Sequence, residues 1–188
     1  MIEAVVIGAS FGGLQATRSI LTSLPAGFSV PVIIVLHVGP HSISLFIETL
    51  NEHTPFRVTE AADHELLLPR TVYFAPPNYH LLVENHEMLT LSTEEKVNFS
   101  RPSIDVLFET AAWAFGSRVA GVLLTGANND GAYGLKCIGD AGGITIVEDP
   151  ETAQVPVMPE AAVKLFTPGY ILPLAGIGPL LGRVAAGG

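Results

Sequence analysis

The sequence predicts an α/β fold: a doubly wound, mostly parallel, Rossmann-like sheet with helices on both faces and an antiparallel hairpin at one edge. Three observations predict it. Short apolar runs alternate with longer amphipathic stretches, the order in which βαβ units are built. Runs such as Ala4-Val5-Val6-Ile7 and Val32-Ile33-Ile34-Val35-Leu36 are apolar throughout, as strands covered on both faces are. The 188 residues are 48% hydrophobic, enough to bury a sizeable core, so one domain over residues 1–188 is expected.

In chain order, residues 4–8 form the first strand. A helix follows from about Gly12 to Leu24, with Leu14, Thr17, Leu21 and Leu24 on one face, and Pro25-Ala26-Gly27 stops it. Pro31 to Leu36 is the second buried strand. Residues 42–53 make a second amphipathic helix around Ile43, Phe46, Ile47 and Leu50, and Phe56 to Glu60 is a short strand. The rhythm then changes. Thr71–Ala75, Tyr79–Glu84 and Met88–Leu91 read as strands joined by turns at Pro76-Pro77-Asn78 and Asn85-His86-Glu87, which is the source of the expected edge hairpin. Alternation resumes with a helix that Pro102 opens and Gly116 follows. Next come a strand at Val119–Leu124, a helix to Ala141 stopped by Gly142-Gly143, a strand at Ile144–Val147 and a short helix near Pro159–Lys164. The late stretch PGYILPLAGIGPLLG is short for a membrane span and is interrupted by proline and glycine.

Bulk chemistry excludes several function classes. The net charge is −9 with nine Lys and Arg, which argues against tracking a nucleic-acid backbone. A single cysteine, Cys137, excludes an internal disulfide and fits a reducing compartment. No basic region precedes the first apolar stretch, so no signal peptide is read. A cytoplasmic protein without membrane insertion is expected.

In a parallel sheet, ligands collect where the carboxyl ends of strands meet helix amino termini. Three polar residues fall at such ends: Ser10 after the first strand, His37 after the second and Asp130 after Val119–Leu124. A hydroxyl, an imidazole and a carboxylate are the set that a serine nucleophile, its base and the group orienting that base require. Gly8-Ala9-Ser10-Phe11-Gly12 satisfies G-x-S-x-G, the pattern of a serine raised on a sharp strand-to-helix turn. The same letters nearly satisfy a dinucleotide fingerprint, but Ser10 replaces its second glycine, and His37 stands where the acidic ribose partner is due. Taken singly, each residue has a plainer role: Ser10 as a helix cap, His37 as a hydrogen-bonded strand-end histidine, Asp130 as the cap of a helix starting at Gly131. Their shared edge favours the catalytic set. Gly39-Pro40 separates His37 from His41, so the pair does not offer a helical metal face, and no metal is expected. Cys137 and Trp113 are read as core, and His53, His64 and His86 as solvated or capping residues.

The segments IGASFGG, LHVGPH, VYFAPPNYHLL, RPSIDVLF, LTGANNDGAYGL and the stretch from AGGITIVED to VMPEAA, in this order, resemble the catalytic domain of the chemotaxis protein-glutamate methylesterases of CheB type. The resemblance runs from Ile2 to about Tyr170. It places the family's nucleophile, base and aspartate on Ser10, His37 and Asp130, and implies that Phe11, Gly12, Ala127 and Met158 line the oxyanion and substrate positions. It also implies hydrolysis of glutamate γ-methyl esters on chemoreceptor helices, deamidation of glutamines as a related activity, and no metal or organic cofactor. Family members commonly carry an amino-terminal receiver domain; here the first strand begins at residue 4, which leaves two alternatives. One, the expectation, is a stand-alone domain with a separate receiver-domain regulator; the other is a sequence trimmed from a longer chain. The chain departs from the family at Phe11, where Thr is usual, at Leu36 and Val38 beside the histidine, at Ala127 and Asn128, which replace Met and Gly, and at Val157 and Glu160, where Gly and Arg are common. A non-catalytic binding module that kept this fold is the alternative these departures raise.

Overall fold

The computed structural model describes residues 1–187, with the side chains of Pro40 and His41 outside the described set. In chain order the elements are β1 (Ala4–Ala9), α1 (Gly13–Ser23), β2 (Val32–Leu36), α2 (Pro40–His53), β3 (Arg57–Glu60), β4 (Glu65–Leu66) and β5 (Thr71–Phe74). There follow β6 (His80–Asn85), β7 (Met88–Ser92), α3 (Ile104–Phe115), β8 (Val119–Leu123), α4 (Ala132–Asp140), β9 (Ile144–Glu148), α5 (Val157–Leu165), β10 (Tyr170–Leu172) and α6 (Leu174–Ala185). A short 3₁₀ turn at Gly116–Arg118 joins α3 to β8.

Seven strands form one parallel sheet in the order β10-β9-β8-β1-β2-β5-β3. β1 is the centre and the point where the chain reverses direction across the sheet, because β2 lies on one side and β8 on the other. The central strands β1, β2 and β8 are buried at every position, as their uninterrupted apolar runs require. Two cores result, one on each face. Val5, Ile7, Ile34 and Val122 point into the first with Ile20 and Leu21 of α1, Leu50 of α2 and Leu181 of α6. Val6, Ile33 and Leu123 point into the second with Phe108 of α3, Leu135 of α4 and Met158 of α5. The alternation of neighbours along β1 is the strand's period of two. The doubly wound α/β class is thus the observed one.

The hairpin exists, but in a different place from the one expected. β6 and β7 pair antiparallel and, with β4, make a separate three-stranded sheet. β6 rests on α3, linked to it by the Val83 N–H bond to Thr110 Oγ1 (3.1 Å). β5 belongs instead to the parallel sheet, inserted between β2 and β3 with Val72 opposite both Val32 and Val58. Local alternation shows that a segment is a strand; it carries no information on which neighbour the strand will find. β10 and α6 also emerge from the stretch rich in proline and glycine. In α6, Gly178 lies against Ser23 and the Ile20 carbonyl of α1, a closeness that a side chain would prevent. Trp113, read as core, is 79% exposed, because α3 buries Leu107, Phe108, Ala111 and Phe115 and turns residue 113 outward. Cys137 is half-buried. Among the described residues no helix is long and apolar enough to cross a membrane.

Candidate active site

β8, β1 and β2 are adjacent and parallel, so the loops that leave their carboxyl ends share one rim. The backbone stitches those loops together: Ser10 N–H donates to the Thr125 carbonyl (3.0 Å) and His37 N–H to the Ala9 carbonyl (3.1 Å). Ser10 sits at the start of a tight turn closed by the Gly13 N–H bond to the Ser10 carbonyl (2.8 Å), with Gly12 at φ +81° as the N-cap of α1. A positive φ there is what the motif's second glycine supplies. Within the turn, the N–H groups of Phe11 and Gly12 have no acceptor among the described residues. Ser10 and His37 line one cavity of about 360 Å³ together with Phe11, Gln15 and Val38. His37 also borders a neighbouring cavity of about 340 Å³, beside Pro77 and Phe99.

Asp130 is fully buried and sits 3.0 Å from His37, Oδ2 to Nε2. The carboxylate oxygen lies off the line of the ring N–H, so the pair is in contact without a straight hydrogen bond. The plainer role considered for Asp130, capping its own helix, is not what the structure shows: α4 is preceded by Gly131 and has no side-chain cap. Asp130 instead receives the amino terminus of α3. Its Oδ2 accepts from Ile104 N–H (2.7 Å), and its Oδ1 accepts from Ser103 Oγ (2.8 Å), Asp105 N–H (3.2 Å) and the Asn98 amide (3.0 Å). α3 comes this close because Ile104 packs directly on Gly8 and Gly131, where any Cβ would collide with it. Gly8 of β1 and Gly131 of the Asp130 loop therefore seat the helix that holds the carboxylate.

Electrostatics follow from these contacts. Burial pushes the Asp130 carboxyl up, but His37, Asn98, the Ile104 N–H and Ser103 outweigh it, and the group lies below the ordinary aspartate range. The helix amino terminus adds to the preference for negative charge. Asp105, in the first turn of the same helix, goes the other way. Burial and the charge of Asp130 raise it above the ordinary range despite bonds from Gly134 N–H and Asn98. The two carboxylates share the Asn98 amide, which donates to Asp105 Oδ2 at 2.7 Å. Next to the serine loop, Glu148 at the end of β9 is buried, accepts the Thr125 N–H (2.8 Å) and is raised by burial.

The structure thus gathers Ser10, His37 and Asp130 at one rim and sets Phe11 and Gly12 beside them. Ala127 is exposed on the Asp130 loop. Met158 differs from expectation: it is fully buried beneath Gly126, on the same side as the Ser10 Cβ, and supports the floor without facing the cavity. Sequence reading did not find Asn98, Ser103 or His80. Ser103, after a proline and before an apolar run, carries the N-cap signal of α3. Buried His80 accepts the Ser103 N–H through Nδ1 (3.1 Å) and contacts the Glu95 carbonyl through Nε2 (2.9 Å), which fixes that cap from behind. Asn98 has no local signal at all.

Comparison with known proteins agrees with this fold. The CheB methylesterase family matches residues 5–181. A Leptospira interrogans protein, provisionally named protein-glutamate methylesterase/protein-glutamine glutaminase, is 45% identical over 97% of this chain and 94% of its own length. A Clostridium acetobutylicum protein-glutamate methylesterase/protein-glutamine glutaminase is 34% identical, and this chain, matched over 99%, spans 54% of it. The crystal structure of the Thermotoga maritima CheB methylesterase catalytic domain superposes with a TM-score of 0.92 at 32% identity, covering 98% of this chain and 99% of that one. With the family match, the sequence similarity and the fold in agreement, the chain belongs to the CheB methylesterase family.

Proposed function

We propose that this protein is a serine hydrolase that removes methyl groups from glutamate γ-methyl esters on chemoreceptor helices, and deamidates glutamines by the same route. The observation that carries the reading is the convergence of three loops: Ser10 and His37 face one cavity, and His37 touches a buried carboxylate that His37 itself, Asn98 and the amino terminus of α3 hold ionised. His37 directs Nε2 to Asp130, so Nδ1 is the nitrogen left to take the Ser10 proton. Ser10 Oγ attacks the ester carbonyl, and the oxyanion meets the N–H groups of Phe11 and Gly12 at the start of α1. His37 returns the proton to the departing methoxide, giving methanol and an acyl-Ser10 ester. Water, deprotonated by His37, then releases the glutamate. With a glutamine substrate the leaving group is ammonia and the remaining steps are unchanged. Asp130 holds the imidazole tautomer and stabilises its charged form.

The cytoplasm, a methyl-accepting receptor helix as substrate and a separate receiver-domain regulator complete the proposal. The test is methanol release from a methylated receptor fragment, with mass spectrometry of the chain after treatment with a fluorophosphonate. Methanol release and an adduct on Ser10 support an active esterase. A folded protein giving neither overturns it in favour of the non-catalytic module.

A further inference from the structure

The Asn128 side chain lies where the base must work. Its Oδ1 accepts the Asp130 N–H (3.1 Å), which leaves Nδ2 as the end that faces His37 Nδ1, 3.4 Å away. A neutral imidazole has one donor nitrogen and one acceptor nitrogen. An amide Nδ2–H can only donate, so Nδ1 is the acceptor and Nε2 carries the hydrogen beside Asp130. That is the tautomer catalysis needs, but the lone pair is already covered. Nδ1 has a single in-plane lone pair, and the proton of Ser10 requires the same one. Among the described residues Ser10 Oγ makes no hydrogen bond to His37, and the Nε2–H is out of line with Asp130.

Resting on the serine-hydrolase reading above, we propose that Asn128 is a positioning residue that latches His37 in a resting orientation, covering its base nitrogen until the ring turns toward Ser10. Release of Nδ1 from the amide frees the ring to rotate, and rotation lets Nε2–H line up with the Asp130 carboxylate. Asn128 is half-buried and tied to the loop through Asp130 N–H, so the latch is built into the same turn that carries the aspartate.

The experiment is the rate of Ser10 phosphonylation by a small alkyl fluorophosphonate, measured for the parent, Asn128→Ser and Asn128→Ala, together with the ¹⁵N resonances of His37. A serine at 128 keeps an acceptor for the Asp130 N–H and is too short to reach His37; alanine removes both contacts. Asn128→Ser is expected to label Ser10 about threefold to tenfold faster, the effect of removing one weak hydrogen bond from the ground state. Its Nδ1 resonance is expected to move while Nε2 stays protonated. Unchanged or slower labelling by folded Asn128→Ser and Asn128→Ala, with the parent labelling at Ser10, overturns the latch alone. A parent that never labels at Ser10 overturns the hydrolase reading and the latch with it.

Discussion

Asp130→Asn separates the two tasks that the structure gives to one carboxylate. Oδ1 accepts three donors, from Asn98, Ser103 and Asp105, while Oδ2 accepts the Ile104 N–H at 2.7 Å and meets His37 Nε2 at 3.0 Å. An asparagine has one acceptor oxygen. With that oxygen kept for the three donors, its NH₂ faces Ile104 N–H, donor against donor, at a residue with no exposure to water. Leaving one buried N–H unsatisfied and losing the charge assistance of the remaining bonds costs about 2–3 kcal/mol. For a chain of this size that lowers Tm by about 4–12 °C. The same NH₂ donates to His37 Nε2 and drives the hydrogen to Nδ1, so the ring can no longer take the Ser10 proton. Turnover falls by about ten-thousand-fold, the size of a wrong-tautomer effect. A role for Asp130 toward His37 alone would predict lost activity with normal folding; the contacts with α3 add the loss of stability. Thermal unfolding and methanol release, the latter measured well below the variant's Tm, read the two effects independently. An unchanged Tm would refute the role of the carboxylate as the seat of α3, and undiminished turnover would refute its hold on His37.

Two further outcomes test the surroundings. Glu148 is raised by burial, so the folded state holds its proton more tightly than the unfolded chain does. Its contribution to stability is therefore present at low pH and is lost as pH rises through the elevated value. Glu148→Gln keeps a carbonyl for Thr125 N–H and is expected to flatten that decline, so urea unfolding at neutral pH shows a more stable protein than the parent; equal stability at neutral pH contradicts the shift. At the crossing of α3 and α4, a Cβ on Gly134 would stand 2.6 Å from the Phe108 Cβ and 2.9 Å from the Asp105 carbonyl. Gly134→Ala is expected to lose about 1–3 kcal/mol in the same unfolding assay, since backbone has to move, and a neutral effect would mean that the helices are not this close.

The parts of the site legible in the sequence are those set by topology. A parallel sheet sends Ser10, His37 and Asp130 to one rim wherever β8, β1 and β2 are neighbours, and uninterrupted apolar runs identify those strands. Gly8 and Gly12 were legible as parts of a turn motif, although the reason for Gly8 is tertiary: it is the seat of Ile104. What holds Asp130 could not be read, because its donors come from residues 98 and 103–105, and nothing near Asp130 marks their approach. Asn128 was visible only as a departure from the family turn; its reach to His37 depends on how two loops fold over each other. The same limit explains the fold. β5 and the hairpin were each read as strands, yet their partners are chosen by packing on β2, β3 and α3. In α6, Gly178 and Pro179 belong to the stretch whose proline and glycine argue against a membrane span, while in the structure they lie within a helix and the glycine sits against Ser23 and the Ile20 carbonyl of α1.

The central claim is that the Ser10 hydroxyl, activated by His37, performs the hydrolysis. The most direct measurement is methanol release from a methylated receptor fragment by Ser10→Ala, with folding confirmed by its thermal transition. A loss of at least about a thousandfold relative to the parent is predicted. A Ser10→Ala protein that releases methanol at the parental rate would contradict the account.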